Sequence, residues 1–252
     1  MGTGAITGYM DVAQMVLYAF WLFFFGLIWY LHRENKREGY PLVDPHDPNY
    51  RPQGFPAVPK AKTYVLPHDQ GTRDAPRNIE ERELKARKAR TAGFPIEPTG
   101  NPMLDGVGPA AWAVRPEHPD LTYDGEPKIV PLRVATDFSV ETRDPDPRGR
   151  PVYGVDDEIG ATVKDIWVDR SEPQIRYLEL EADGKRVMMP LNFARIRSNG
   201  DVVAKSVCGR HFADAPSTAD PDQITLQEED KIGAYYAGGY LYALKDREEP
   251  IL

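Results

Sequence analysis

Three patterns of apolar and polar positions follow one another along the chain. From Val12 to Leu31, 20 residues pass without a formal charge, dense in Phe, Leu, Trp and Tyr. At about 1.5 Å per residue they span about 30 Å, the thickness of a bilayer's hydrocarbon core. The run is apolar on all faces and longer than most core helices, so it predicts a transmembrane helix rather than a buried helix of a soluble protein. Residues 1–11 hold no Lys or Arg, and no small-x-small site follows the run, so a cleaved signal peptide is not expected. Arg33, Lys36 and Arg37 come directly after the span, against Asp11 alone before it. The positive-inside rule then places the C-terminal side in the cytoplasm and the 11-residue tail outside. Trp29 and Tyr30 fall where an interfacial aromatic belt is expected, and the three cations suit anionic lipid headgroups as well as they suit a topology signal.

The second pattern has few apolar runs. Between Pro41 and Pro131 lie 16 of the 24 prolines. Such a stretch builds little core, and it is expected to be extended, either disordered or, the reading preferred here, laid along a partner's surface. One helix is expected inside it, from Ile79 to Ala92. Asn78 is its cap, acids fill the first turns, Glu81–Lys85 and Glu83–Arg87 are i,i+4 pairs, and Gly93 with Pro95 stops it.

From Val130 the pattern changes to period two. Strands are predicted at Val152–Val155, Ala161–Val168, Ile175–Glu181, Arg186–Leu191, Ala194–Arg197 and Val202–Val207. Asp183-Gly184 and Asn199-Gly200 are the hairpin turns. In the third of these strands Leu178 and Leu180 are assigned to one face, Glu179 and Glu181 to the other. A small antiparallel β-barrel follows as the expectation. The T-x-x-E box of Thr225 and Glu228 opens a last helix at Leu226, expected to end at Gly238-Gly239. The tyrosines clustered there, Tyr235, Tyr236, Tyr240 and Tyr242, are read as ordinary packing in preference to a docking surface. The chain is therefore α+β. Its parts are an outer tail (1–11), a membrane helix (12–31), a Pro-rich cytoplasmic segment (32–130), a barrel-like β domain (131–210) and a C-terminal helix with its tail (211–252).

Composition narrows the function. A formal charge of −8 over 252 residues argues against nucleic-acid partners. One cysteine, Cys208, excludes an internal disulfide framework, and five scattered histidines form no ligand motif. Nucleotide, zinc and acyl-transfer fingerprints are absent, so the chain does not read as a self-contained enzyme. An enzyme on a membrane stalk would require Cys208 and His211 to meet in a pocket as a nucleophile pair. The carboxylates Asp156, Asp157, Glu158, Asp165, Asp169 and Glu172 lie around one strand. Solvated loop acids are the default for them. Were they to face a partner or a wet crevice, repulsion and desolvation would raise their pKa values and suit them to relaying protons.

Several stretches together resemble the H subunit of the purple-bacterial photosynthetic reaction centre, of the PRC-barrel family. They are Arg37–Leu42, Val65–His68, Pro98–Met103, Asp105–Ala110, Lys128–Val134, Asp165–Asp169, Glu228–Lys231 and Ala237–Gly239, in this order through almost the whole chain. The resemblance implies an accessory subunit, not an enzyme, anchored by one helix in the bacterial photosynthetic (intracytoplasmic) membrane with its N-terminus periplasmic. A PRC barrel then caps the L and M subunits, in some complexes beside a cytochrome subunit and a light-harvesting 1 ring. It implies no cofactor on this chain: bacteriochlorophyll, bacteriopheophytin, quinones and a non-haem iron belong to the partners. The implied task is stabilising the complex and conducting protons to the secondary quinone, with a PRC-barrel assembly adaptor lacking that role as the alternative. Glu172 and Asp169 match family acids of the pathway, and Asp124 matches one near its mouth. Where some members carry two histidines after that aspartate, this chain has Gly125, Glu126 and Pro127. Glu126 is a poorer buffer near neutral pH than a histidine, which puts a histidine-gated mouth in doubt.

Overall fold

A computed structural model describes residues 4–37, 54–75, 82–87 and 95–248. The chain divides into two compact units, Met1–Glu80 and Glu81–Leu252.

In the first unit, helix α1 (Val12–Arg37) is long and apolar enough to cross a membrane, and no part of its apolar stretch is buried. Asp11 caps it, its Oδ1 accepting the Gln14 amide at 2.8 Å. It outruns the predicted span by six residues, because its polar last turn is held by side chains. Beyond it, strands β1 (Lys62–Val65) and β2 (Thr72–Ala75) pair antiparallel.

The second unit contains the core. Its short pieces are β3 (Ala86–Arg87) paired with β4 (Glu97–Pro98), and one helical turn, α2 (Pro102–Asp105), capped by Asn101. The helix expected at Ile79–Ala92 is contradicted where it can be seen. Residues 82–85 are irregular and Ala86–Arg87 is a strand, while 79–81 and 88–92 lie outside the described residues. The predicted i,i+4 partners are spent elsewhere. Lys85 pairs with Asp105 at 2.8 Å, Arg87 with Glu97, and the Arg82 guanidinium lies 3.5 Å from the centroid of the Trp112 ring. A helix whose stability rests on pairs of a few tenths of a kcal/mol each yields to such contacts.

The remaining strands form one sheet: β5 (Ile129–Pro131), β6 (Pro151–Tyr153), β7 (Ile159–Asp169), β8 (Gln174–Ala182), β9 (Lys185–Pro190), β10 (Ala194–Ile196) and β11 (Val202–Ala204). The order is β10-β11-β6-β7-β8-β9, with β5 on the same flank of β7 as β6 and farther along it. All six strands predicted by period two are present within a few residues. Asp183 and Gly184 turn β8 into β9 with φ of 49° and 70°, the left-handed pair that such a hairpin needs. The α+β class stands, but the sheet is mixed and open rather than a closed antiparallel barrel. β11 returns to the free side of β6 after four intervening strands and arrives parallel to it, and the ends β9 and β10 do not pair.

Trp167, Ile166, Leu178, Leu180, Met188 and Met189 are fully buried in the sheet's core. Helix α3 (Leu226–Tyr242) adds Ile232, Tyr235 and Tyr236, and its predicted capping box is formed, the Glu228 amide donating to the Thr225 hydroxyl at 3.1 Å. The helix does not stop at Gly238-Gly239. Those glycines are points of close approach, since a Cβ on Gly238 would lie 2.5 Å from the Ala110 Cβ, and one on Gly239 2.6 Å from Val207. Tyr235 and Tyr236 are core residues, as packing predicts, whereas Tyr240 is half exposed.

Candidate functional site

The site grows from the point where β7 ends and β8 begins. The pairing of these strands steps between Trp167↔Tyr177 and Val168↔Ile175, leaving Arg176 as an extra residue on β8. A bulge bends a strand and re-aims its side chains. Here it points the Arg176 guanidinium at Asp169, 3.5 Å away, and at Glu229 of α3, 3.8 Å away.

Asp169 is the centre of the group, and its side chain is fully buried. Its Oδ1 accepts the amides of Ser171 and Glu172 at 2.9 and 3.1 Å, which fixes the turn carrying Glu172. Its Oδ2 receives no hydrogen bond; Lys128, at 3.7 Å, and Arg176 stand off it at ion-pair distance. Burying a carboxylate costs several kcal/mol unless cations and donors offset it, and half of this carboxylate has cations but no donor. Lys128 also faces Asp120 at 3.5 Å.

On the far side of Arg176, the Tyr177 hydroxyl donates to Glu229 Oε2 at 2.9 Å. Burial, with the charge of Asp120 adding to it, raises the Glu229 carboxyl above its ordinary pKa despite the opposing effects of Tyr177, Arg176 and Lys128. Burial next to that carboxylate also raises the Tyr177 phenol. The chain of groups thus runs Asp120, Lys128, Asp169, Arg176, Glu229, Tyr177, alternating acid and base up to the phenol.

Of the residues singled out from sequence, Asp169 and Glu172 are brought together here. Glu172 is exposed, and its Oε2 accepts from Gln174 Nε2 at 3.3 Å. Asp124 and Glu126 are exposed on the tip of a tight turn, where the Thr122 amide donates to the Glu126 carbonyl at 2.8 Å and Gly125 has φ of 85°. The acids around the start of β7 do not join. Asp156 is exposed, and its Oδ1 accepts the Gly209 amide at 2.9 Å. Although burial pushes its pKa upward, that bond and those from nearby amides bring it below the ordinary value, so it behaves as the default loop acid rather than as a proton relay. Asp157 stands 3.9 Å from Arg197. Asp165 is buried but satisfied, accepting from Arg133 Nη1 at 3.0 Å and from the Ile166 amide at 2.8 Å.

Sequence reasoning missed Lys128, Arg176, Tyr177 and Glu229. Lys128 and Glu229 lie in stretches that carry the family resemblance. Nothing local marks Arg176, because its aim depends on the bulge.

Cys208 and His211 do not form a nucleophile pair. The Cys208 amide, not its thiol, meets His211 Nδ1 at 3.1 Å; the thiol is buried against the Ala243 carbonyl, and burial raises its pKa. The three cations after the predicted span are all engaged within the first unit. Arg33 lies 4.7 Å from the Trp29 ring centroid and 5.9 Å from that of Tyr30. Lys36 is buried and donates to the carbonyls of Gly54 and Pro56, and Arg37 pairs with Glu34 at 3.0 Å. Among the described residues no three His, Cys, Asp or Glu side chains converge as metal ligands.

Comparison with known families gives two matches. The model of the photosynthetic reaction centre H-chain N-terminal region matches residues 4–134, and that of the PRC-barrel domain matches residues 140–204.

Proposed function

Because the chain belongs to the photosynthetic reaction centre H-chain family, we propose that it caps the pigment-bearing L and M subunits on their cytoplasmic side, steadies the complex, and conducts protons to the secondary quinone. In this reading α1 crosses the photosynthetic membrane with its N-terminus outside, and the second unit lies in the cytoplasm, a topology that the cations after the span support. The chain works as an accessory subunit: light-driven electron transfer takes place on cofactors of the partners, and protons reach them past this surface.

The observation that carries the reading is Asp169, a fully buried carboxylate with one oxygen free of any donor, held between Lys128 and Arg176 and bonded to the amide of Glu172. Proton transfer needs carriers within hydrogen-bond reach, directly or through one water. The free Oδ2 is an acceptor of that kind. Lys128 and Arg176 offset its charge without occupying it, and in this reading exposed Glu172, whose amide donates to Asp169 Oδ1, is the carrier toward solvent. Glu229 keeps a proton to higher pH than an ordinary glutamate and extends the chain along α3. Asp124 and Glu126, on the exposed turn preceding Lys128, collect protons from bulk water.

The test is Glu172→Gln in the assembled, pigment-bearing complex. The expected outcome is intact initial charge separation with slowed proton delivery at the second electron transfer. Unchanged flash-induced proton uptake removes Glu172 from the path and leaves the assembly role. Co-purification of bacteriochlorophyll with the tagged chain from mild detergent tests the capping itself; a colourless eluate favours a PRC-barrel adaptor for some other partner.

A further inference from the structure

Beyond α1 the first unit bares two apolar side chains on a loop: Phe55 is 82% exposed and Val58 65%. Two tethers fix where this loop lies along α1. Lys36 donates to the carbonyls on either side of Phe55, those of Gly54 and Pro56, the latter at 2.5 Å. Glu34 accepts from Lys62 Nζ, also at 2.5 Å. The stretch from Gly54 to Lys62 is thus pinned at both ends to the helix just past Leu31, where the charge-free run stops.

Glu34 and Lys36 stand three and five residues beyond Leu31, about 4.5 to 7.5 Å farther along the axis. A helical side chain covers the turn N-terminal to its own Cα, so the Lys36 ammonium reaches back toward the span and brings the loop with it. Phe55 and Val58 are therefore held at the level where headgroups meet acyl chains. Composition fits that place. Gly54 to Lys62 contains no carboxylate, its apolar residues come first, and exposed Lys60 follows them while Lys62 is spent on Glu34. An apolar surface flanked by cations is what an interfacial anchor presents to an anionic bilayer.

We propose that residues 54–58 are a second contact with the bilayer, with Phe55 and Val58 seated at the boundary between headgroups and acyl chains beside α1. Two footholds fix the tilt and rotation of α1, which a single apolar span leaves to its surroundings. The inference rests on α1 crossing the membrane and is independent of proton conduction.

The test uses nitroxide labels on the full chain in nanodiscs of phosphatidylcholine and phosphatidylglycerol, at Phe55→Cys and, separately, at Val58→Cys. Phe25→Cys within the span is the lipid reference and Ser198→Cys, on an exposed turn of the second unit, the water reference; Cys208 is buried and is expected to take no label. The ratio of relaxation by oxygen to relaxation by a water-soluble nickel complex is expected to be at least roughly threefold higher at 55 and 58 than at 198, as for groups 5–10 Å into the boundary. A ratio equal to that at 198 puts the loop in water and overturns the proposal. Exclusion of both relaxers at 55 and 58 in the pigment-bearing complex means that a partner subunit covers the loop, which also overturns it. A water-like ratio at 25 shows that α1 is not a span, and the membrane reading then fails together with the proposal.

Discussion

Strands β7 and β8 carry two clusters of acids around an arginine, and the clusters are built differently. In the first, Arg133 Nη1 donates to Asp165 and to Glu179 at 3.0 Å each, its Nε donates to Asp222 at 3.1 Å, and Trp167 Nε1 donates to Glu179 at 2.9 Å. In the second, the ion pairs of Asp169 and Glu229 stretch to 3.5–3.8 Å and Asp169 Oδ2 has no donor. Both place carboxylates in the interior. The first is saturated and joins the loop before α3 to the sheet; the second keeps an acceptor open. A satisfied buried network specifies structure, and an unsatisfied buried oxygen leaves an acceptor for a further partner, water included.

The comparison can be broken most forcefully at Arg133. Arg133→Met leaves Asp165 and Glu179 buried without their cation. It is expected to cost about 2–4 kcal/mol in denaturant unfolding, less than for a fully buried pair because the arginine is 38% exposed. Asp169→Asn should do the opposite. The amide keeps the oxygen that accepts from Ser171 and Glu172, so stability is expected to change by less than about 1 kcal/mol, whereas flash-induced proton delivery slows roughly tenfold or more.

Glu229→Gln sharpens the contrast through pH. A carboxyl with a raised folded-state pKa stabilises the fold fully below its unfolded pKa and loses that contribution as pH rises through the folded value. The unaltered protein should therefore shed stability across the window just above the ordinary glutamate pKa, and the Gln variant should lose that slope in melts recorded from pH 4 to 8. The smallest effect belongs to Glu181, two residues beyond Glu179 on the same strand. Its 2.7 Å pair with Lys164 is half exposed on both sides, so Glu181→Ala is expected to shift stability by less than about 0.5 kcal/mol.

Glu179 and Glu181 also mark how far the chain could be read without its fold. Period two assigned both to the polar face of a half-buried strand, and Glu181 is indeed exposed. Glu179 is buried, because Arg133, from a loop 46 residues earlier, covers that part of the face. The charged run 82–87 failed for a related reason: its residues found Asp105, Glu97 and Trp112, partners distant in sequence, instead of one another. The glycine pair ended a helix on paper but lies within one, where Ala110 and Val207 leave no room for a side chain.

The apolar span, the six strands, the hairpin turns and the capping box were legible because each depends on neighbours within a few positions, through period, turn geometry or local hydrogen bonds. Asp169 and Glu172 were singled out only through the family resemblance, as matches to family acids. Tertiary structure alone decided that β11 would run parallel to β6 and leave the sheet open. It also turned Arg176 toward Asp169 through a bulge and set Glu229 and Tyr177 against the group. Those outcomes depend on which distant strands meet and in what register, and no short window of sequence carries that information.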